Sequence, residues 1–450
     1  MRSKLIVSFW IIAGMQFVFG QVLTTSPLSY YGIGESSKES NPIFQSLGYS
    51  GVAMADSGYI NYNNPATYTS FGSGYTLLST GIHGRISQFS ENNEQVIKGY
   101  SNLNHLMLGM KLTKYLSTSF GLRPYSFRGY QFSNKLFTGT DSIINEYKGM
   151  GTSQIVFMGF GVKVINLKST KLSLGSNVGY LFGSLSNDRV SRIIVSNSLA
   201  GGVEKKRTVL SSLYYDFGFH FSQKITKNHI VDLGASFEPK QTINSKYSDG
   251  LFYSPNVFNE KLFDTISYQQ ESGSISMPSH LNIGAVYTFN FNNVVKNNRK
   301  LNSQIKLTAN YSRKDYSTYS ENFGSISIAN NLGLNERMGL GIQWIPERNY
   351  FENNSLTKFY QRIFYRTGFL SEKTRFLNST DEIQHFGITF GIGIPIFAQQ
   401  SLSSVNLGVN LGRIQRNVEN SLSENYSSIN FGIILSPSVF DKWFRKRKLD

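Results

Sequence analysis

Long stretches of this chain alternate between apolar residues and small or polar ones, and no comparable stretch has a helical period. Leu106, Leu108, Met110 and Leu112 are interleaved with His105, Met107, Gly109 and Lys111. Val178, Tyr180 and Phe182 alternate with Asn177, Gly179 and Leu181, and Tyr215, Phe217, Phe219 and Phe221 with Asp216, Gly218, His220 and Ser222. Phe386, Ile388, Phe390, Ile392 and Ile394 alternate with Gly387, Thr389, Gly391 and Gly393, and Val405, Leu407, Val409 and Leu411 with Asn406, Gly408, Asn410 and Gly412. A period of two places each set on one face of a β-strand. A soluble sandwich buries its apolar face and exposes Lys and Glu on the other. Here the second face is Gly, Asn, Ser and Thr with few long charges, which suits a confined lumen better than open water.

The beginning of the chain sets the compartment. Arg2 and Lys4 precede an apolar run from Leu5 to Phe19, and Val18-Phe19-Gly20 offers a small-residue cleavage site before Gln21. The run is shorter than the roughly 20 residues a bilayer-spanning helix needs, so it reads as an export signal. No later stretch approaches a transmembrane helix. With no cysteine there is no disulfide framework, no thiolate metal site and no lipid anchor at a mature N-terminus. The composition has 26 Tyr, 34 Phe, 41 Gly and only 16% charged residues, against about 25% charge in an average soluble protein. Strands that meet lipid outside and a crowded lumen inside require such residues. Lipid cannot satisfy backbone N–H and C=O groups, so the strands must close on themselves. The expected fold is all-β: a closed transmembrane antiparallel β-barrel of about 14 strands.

The expected strands are 74–90, 99–113, 116–132, 150–165, 170–185, 208–225, 229–245, 280–291, 302–319, 333–347, 358–372, 382–396, 403–417 and 425–437. Tight gaps such as Lys114-Tyr115 alternate with long polar segments at 133–149, 186–207 and 246–279, as short periplasmic turns alternate with long outer loops. The inner turns at 292–301 and 348–357 are too long for that scheme without short helices or overhanging strands. The domains expected are a signal peptide at 1–20, an N-terminal hatch or plug at 21–71, the barrel at 72–438 and a basic periplasmic tail at 439–450. The 21–71 segment has no sustained period and is rich in Gly, Ser, Asn and Tyr, a turn-forming composition.

The net charge of +16 is spread through turns and loops, with one cluster at Arg445-Lys446-Arg447-Lys448 and no basic helix. It fits a rim facing anionic lipopolysaccharide and does not suggest nucleic acid. The six histidines, His83, His105, His220, His229, His280 and His385, form neither HxxxH nor HExxH, so no metal site is expected. No GxSxG elbow is present, so no catalytic residue, enzyme activity or cofactor is expected. Gly32-Ile33-Gly34 and Gly391-Ile392-Gly393 do not lie between a strand and a helix, which excludes a nucleotide loop. Pro124 interrupts an otherwise good strand from Leu116 to Phe132. A proline removes a ladder donor, so it predicts a local break, either a harmless bulge above the membrane or a lateral opening in the wall.

Gly48-Tyr49-Ser50-Gly51-Val52-Ala53-Met54-Ala55-Asp56, followed by Asn61-Tyr62-Asn63-Asn64-Pro65-Ala66, resembles the hatch of the FadL-type family of outer-membrane transporters for long-chain fatty acids and other hydrophobic compounds. Leu122 to Tyr130, with Pro124-Tyr125-Ser126 and Gly129-Tyr130, is similar to the third-strand region of the Bacteroidota branch, as is the ending Asp441-Lys442-Trp443-Phe444-Arg445-Lys446-Arg447-Lys448. The resemblance implies fourteen strands plugged by the hatch, whose motif residues here are Gly48, Gly51, Asn64, Pro65 and Ala66. It also implies a hydrophobic small-molecule ligand held in an apolar pocket, leaving through a lateral gap at Pro124, Tyr125 and Ser126. The expected function is passive uptake of hydrophobic small molecules across the outer membrane. The alternative is a FadL-like barrel serving as a scaffold or shuttle subunit of an outer-membrane secretion or assembly complex, with a protein partner docked on 246–279 through residues such as Phe252, Tyr253 and Phe258. Outer-membrane lipid and lipopolysaccharide are the expected surroundings in either case.

Overall fold

The computed structural model describes residues 24–37, 41–91, 94–137, 142–194, 199–295, 299–324, 326–328, 332–348, 357–377, 381–396, 402–418 and 421–436. The expected signal peptide and basic tail lie outside the described residues. Fourteen antiparallel strands form a closed ring: β1 Thr76–Glu91, β2 Glu94–Lys111, β3 Leu116–Phe137, β4 Ser142–Asn166, β5 Thr170–Ile194, β6 Gly201–Lys224, β7 His229–Glu238, β8 His280–Val295, β9 Arg299–Asp315, β10 Leu332–Ile345, β11 Phe364–Phe376, β12 Glu382–Pro395, β13 Ser404–Arg416 and β14 Ser423–Leu435. Each strand pairs with the next, and β14 closes on β1 with Phe431 opposite Ile82. Every one of the fourteen expected strands is present.

The alternation works as the sequence suggests. Ile388, Phe390, Leu407, Val409 and Leu411 are exposed on the outer wall, while Thr389, Asn406 and Asn410 are buried inside. At the end of the wall where β10 passes to β11, Trp344 stacks on Tyr365 with ring centroids 5.6 Å apart. Tyr115, in the turn between β2 and β3, is half exposed. Such rings suit the boundary between lipid and water.

Three segments expected as loops are strand instead. β3 runs on to Phe137 and β4 begins at Ser142, so most of 133–149 is ladder. β5 and β6 extend through most of 186–207. Within 246–279, strands Gln241–Ser254 and Asp264–Met277 form a hairpin, with Tyr253 opposite Asp264. Its first arm pairs with the upper half of β6, Ser254 lying opposite Gly201. Away from the bilayer the outer face has no need to be apolar, so the alternating apolar rows fade there, and Asp264–Gln270 is exposed throughout. Pro239 and Pro278 sit at the two breaks where this hairpin leaves β7 and β8, positions where a missing N–H costs no ladder bond. The long inner turn expected at 292–301 is overhanging strand, since β8 reaches Val295 and β9 resumes at Arg299.

Ile388 lies mid-strand on the outer face of β12, opposite Leu411. Ile388→Arg is expected to cost about 2–4 kcal/mol if this position faces the bilayer midplane. The change is read as a lower urea midpoint for the barrel refolded into phospholipid vesicles; an unchanged midpoint would mean that the face does not meet lipid.

Candidate functional site in the lumen

The inner wall carries a belt of glycines, and the N-terminal segment lies against it. Gly161, Gly175 and Gly218 are direct ladder neighbours on β4, β5 and β6. A Cβ on Gly161 would stand 2.8 Å from the Pro65 carbonyl oxygen, and one on Gly175 would land on the Pro65–Ala66 peptide. On the next strands Gly234 and Gly284 are paired and leave room for Val52 and Ala53, the nearest approach being 2.6 Å from a Gly234 Cβ to Ala53 Cα. Across the barrel Gly341 and Gly368 are paired and admit the backbone of Leu47 and Gly48, while Gly391 and Gly408 admit Ser46. Residues 42–66 therefore run around the inside of the wall with their main chain close to that of the strands.

Each motif residue has a local reason for its identity. Gly48 adopts φ +64°, a left-handed conformation that glycine enters without cost, and its N–H donates to Thr389 Oγ1 at 3.0 Å. Gly51 lies under Phe44, whose ring would be 2.5 Å from a Cβ there. Asn64 Nδ2 donates to Val52 O at 2.8 Å and to Phe219 O at 2.9 Å. Its Oδ1 accepts from Ala66 N at 3.2 Å, capping a short 3₁₀ helix, Pro65–Ser70. Asparagine is a good cap because its side-chain oxygen takes an orphan N–H, and proline fits the first helical position, where no N–H is needed. Ala66 is fully buried. The five motif residues are thus brought to one circumferential segment, at two opposite sides of the barrel.

Polar side chains fasten the rest. Asn61 Nδ2 donates to Gly51 O at 2.8 Å and Met54 O at 2.9 Å. Tyr68 OH donates to Asn177 Oδ1 at 3.0 Å, and Asn177 Nδ2 donates to Asp216 Oδ1 at 2.8 Å. Lys306 pairs with Asp56 at 3.2 Å. Burial alone would raise the Asp56 carboxyl, but the Lys306 ammonium, the Gly58 N–H and Arg348 together outweigh it and hold the group below the usual carboxylate range.

Pro124, Tyr125 and Ser126 lie together on β3, away from the Asn64 turn. The β3–β4 register shifts between Pro124 and Ser126, so Tyr125 bulges out of the ladder, the break the proline predicts. The β2–β3 ladder runs only from Lys111–Ser117 to Leu106–Leu122. Beyond it, β3 pairs with the N-terminal segment, Glu35 opposite Phe127 and Ser36 opposite Ser126. Ser126 Oγ donates to Ile33 O at 2.8 Å, and Tyr125 OH donates to Glu238 Oε1 at 2.8 Å.

Between this segment and the opposite wall is a chamber of about 210 Å³. Charged side chains enter it from six strands: Arg123, Asp216, Glu238, Lys314, Arg337 and Glu372. Arg123 donates to Tyr214 OH at 3.1 Å and stands 3.8 Å from Asp216. Nearby, His385 Nδ1 lies 3.1 Å from Glu372 and its Nε2 lies 2.6 Å from Tyr426 OH. Arg85 stacks on the Tyr426 ring and pairs with Glu424 at 2.6 Å. In place of the small uncharged lumen expected from the sequence, the chamber mixes these charged side chains with Tyr125, Tyr214, Met277, Tyr319 and Leu332. The sequence signal was present in the odd–even phase: Asp216 and His220 share the inward face with Gly218, and Arg366 shares one with Gly368.

The sequence pattern of the BamG family matches residues 1–450. The chain belongs to the BamG family. No curated protein sequence matches it. Among solved structures, the CymD monoaromatic hydrocarbon channel is similar at a TM-score of 0.53 and 12% identity, over 89% of this chain and 98% of that one. The Pseudomonas putida toluene transporter TodX gives 0.53 and 15%, over 88% and 98%. A Pseudomonas aeruginosa FadL homologue gives 0.52 and 10%, over 89% and 98%. At such identities the likeness is one of fold, and that fold is the FadL type of closed fourteen-stranded barrel.

Gly175→Val is expected to leave the barrel closed but unseat the Asn64–Ala66 turn. Limited proteolysis in detergent would then cleave within 41–71, which the parent protein resists. Asn64→Ala should cost about 1–3 kcal/mol through the lost cap and two unsatisfied carbonyls, read from the thermal midpoint.

Proposed function

We propose that this protein is an outer-membrane barrel that works by docking another protein, as a scaffold or shuttle subunit of a secretion or assembly complex. In this reading residues 21–71 are a hatch that keeps the lumen shut, and Gly48, Gly51, Asn64, Pro65 and Ala66 hold it in place. The observation that carries the reading is the ionic chamber. Pockets for apolar ligands are mostly apolar and occupy about 300–1,000 Å³. Here about 210 Å³ is lined by Arg123, Lys314, Arg337 and the carboxylates of Glu35, Asp216, Glu238 and Glu372, and a hydrocarbon placed among them would strip water from charges without replacing it. The wall above the bilayer is correspondingly elaborate. The hairpin Gln241–Ser254 and Asp264–Met277 exposes Tyr253, Phe258, Ile266 and Tyr268, more apolar surface than an isolated loop tip needs. Membership in BamG, a name pointing to a protein complex, favours the same reading. In this reading the Leu122–Tyr130 motif and the basic ending are those of a Bacteroidota-like branch, and the basic rim meets lipopolysaccharide.

A second reading, passive uptake of hydrophobic small molecules with lateral exit, is favoured by one observation. The β2–β3 ladder stops at Leu106–Leu122 beside the Pro124 bulge, and barrels of this fold include channels for toluene and monoaromatic hydrocarbons. In it Pro124, Tyr125 and Ser126 form the lateral gap.

Two measurements separate the readings. The docking reading expects a tagged full-length protein, extracted in mild detergent, to carry a partner at one-to-one stoichiometry, and toluene flux into liposomes no faster than through a closed barrel. Recovery of the barrel alone, with toluene flux that falls at least fivefold in Pro124→Val, would establish transport instead.

A further inference from the structure

We infer that the outer edge of β3 from Gln131 to Phe137 is a docking edge for one extended strand of a partner protein, added to the wall by backbone hydrogen bonds. This inference rests on the docking reading and specifies where and how the partner binds. A membrane-crossing strand takes about 9–11 residues, so β3 crosses over approximately Leu116–Ser126 and residues 131–137 stand beyond the bilayer. All seven of those residues are exposed, Phe132, Leu136 and Phe137 among them. On one side they pair with β4, from Gln131 opposite Lys148 to Phe137 opposite Ser142. On the other side, among the described residues, no strand covers them, since the β2 ladder ended at Leu122.

The same edge already accepts an added strand just below. Glu35 and Ser36 pair with Phe127 and Ser126, and Ser37 N–H donates to Tyr125 O at 2.8 Å. Gly129 N–H donates to Ser29 Oγ at 3.0 Å. Tyr125 and Gly129 thus turn their backbone groups away from β4, while Thr152 Oγ1 on β4 donates to Ser126 O at 3.2 Å. Peptide groups alternate edges along a strand. Gln131, Ser133, Lys135 and Phe137 therefore present N–H and C=O outward, and Phe132, Asn134 and Leu136 present theirs to β4. A long, partly apolar row of open donors and acceptors is a template for another strand. It specifies its occupant by chemistry: extended backbone at ladder spacing, with side-chain pockets of secondary importance. The occupied stretch at residues 125–129 runs directly into the open one.

The alternation gives the test. Amide hydrogen exchange is followed on the full-length wild-type barrel alone and on the complex it forms with its one-to-one partner. The amides of Gln131, Ser133, Lys135 and Phe137 are expected to exchange fast in the isolated barrel and at least tenfold slower in the complex. Those of Phe132, Asn134 and Leu136 should be slow in both. The double variant Ser133→Pro/Lys135→Pro removes two outward donors and no β3–β4 bond. It is expected to keep the heat-modifiable mobility of a folded barrel and to retain less than a tenth of the partner. Odd-numbered amides already protected in the isolated barrel, or unprotected in the complex, would overturn the inference, as would a folded double variant that retains its partner. In that last case docking itself stands. Recovery of no one-to-one partner with the wild type overturns docking and this edge together.

Discussion

Every other feature of this structure depends on the hydrogen-bond closure of the wall. In hydrocarbon an unpaired backbone group costs several kcal/mol, so each strand needs two neighbours and β14 must find β1. Once the ring is closed, the outer row is free to be Ile, Phe, Leu and Val. The inner row is left to meet whatever fills the cylinder. Here that is chain, and the glycine belt is the consequence. Paired glycines at Gly161–Gly175–Gly218, Gly234–Gly284, Gly341–Gly368 and Gly391–Gly408 lower the wall by one Cβ along the path of residues 42–66. Backbone can then approach backbone, and Asn64 can bond at once to its own segment and to β6.

The wall was legible in the sequence because lipid imposes a strict rule on it. Alternation at Tyr215–Phe221 or Phe386–Ile394 has one physical cause, and it marks the strand wherever the cause acts. It stops marking strands where the cause stops. Above the bilayer Ser142–Lys148 and Asp264–Gln270 are exposed or half-buried without a consistent apolar face, so they read as loop although their backbone is fully laddered. The Asn-Pro-Ala turn was legible for a different reason: capping chemistry is local, and Asn64, Pro65 and Ala66 carry it within three residues. The glycines were visible as inward-facing positions. Their partners in the N-terminal segment were not, because no local rule ties Gly175 to Pro65 across more than a hundred residues.

The chamber is less neutral than the inward-facing sequence pattern suggests, and the reason is physical. Glycine and serine dominate the inward positions at the level of the belt, and that level suggested a small neutral lumen. Further along the same faces come Arg123, Asp216, Glu238, Lys314, Arg337 and Glu372, each on a different strand. Charges buried in a barrel survive when they meet one another, and only closure brings these together. Arg85, Tyr426, His385 and Glu372 form a contiguous polar chain, yet they come from β1, β14, β12 and β11. Nothing in the spacing of 85, 372, 385 and 426 announces that.

At the β2–β3 seam the wall and the N-terminal segment meet. A closed barrel has no edge, and a proline in its wall therefore creates a local problem that the fold must solve. At Pro124 the ladder to β4 slips by one residue, and the ladder to β2 has already ended. The N-terminal segment supplies the missing partner for Ser126 and Phe127, and Ser29 serves Gly129. Thus the segment that lies against the inner wall also completes it, in the very stretch where β3 is buried on both faces. Past Tyr130 no described residue of that segment pairs with the strand, which continues for seven exposed residues. Water can satisfy those groups, so the edge is tolerated there and would not be tolerated lower down. A strand kept long, partly apolar and open just where solvent permits it has the geometry of an attachment site, and the bulge at Tyr125 is what separates it from the sealed wall below.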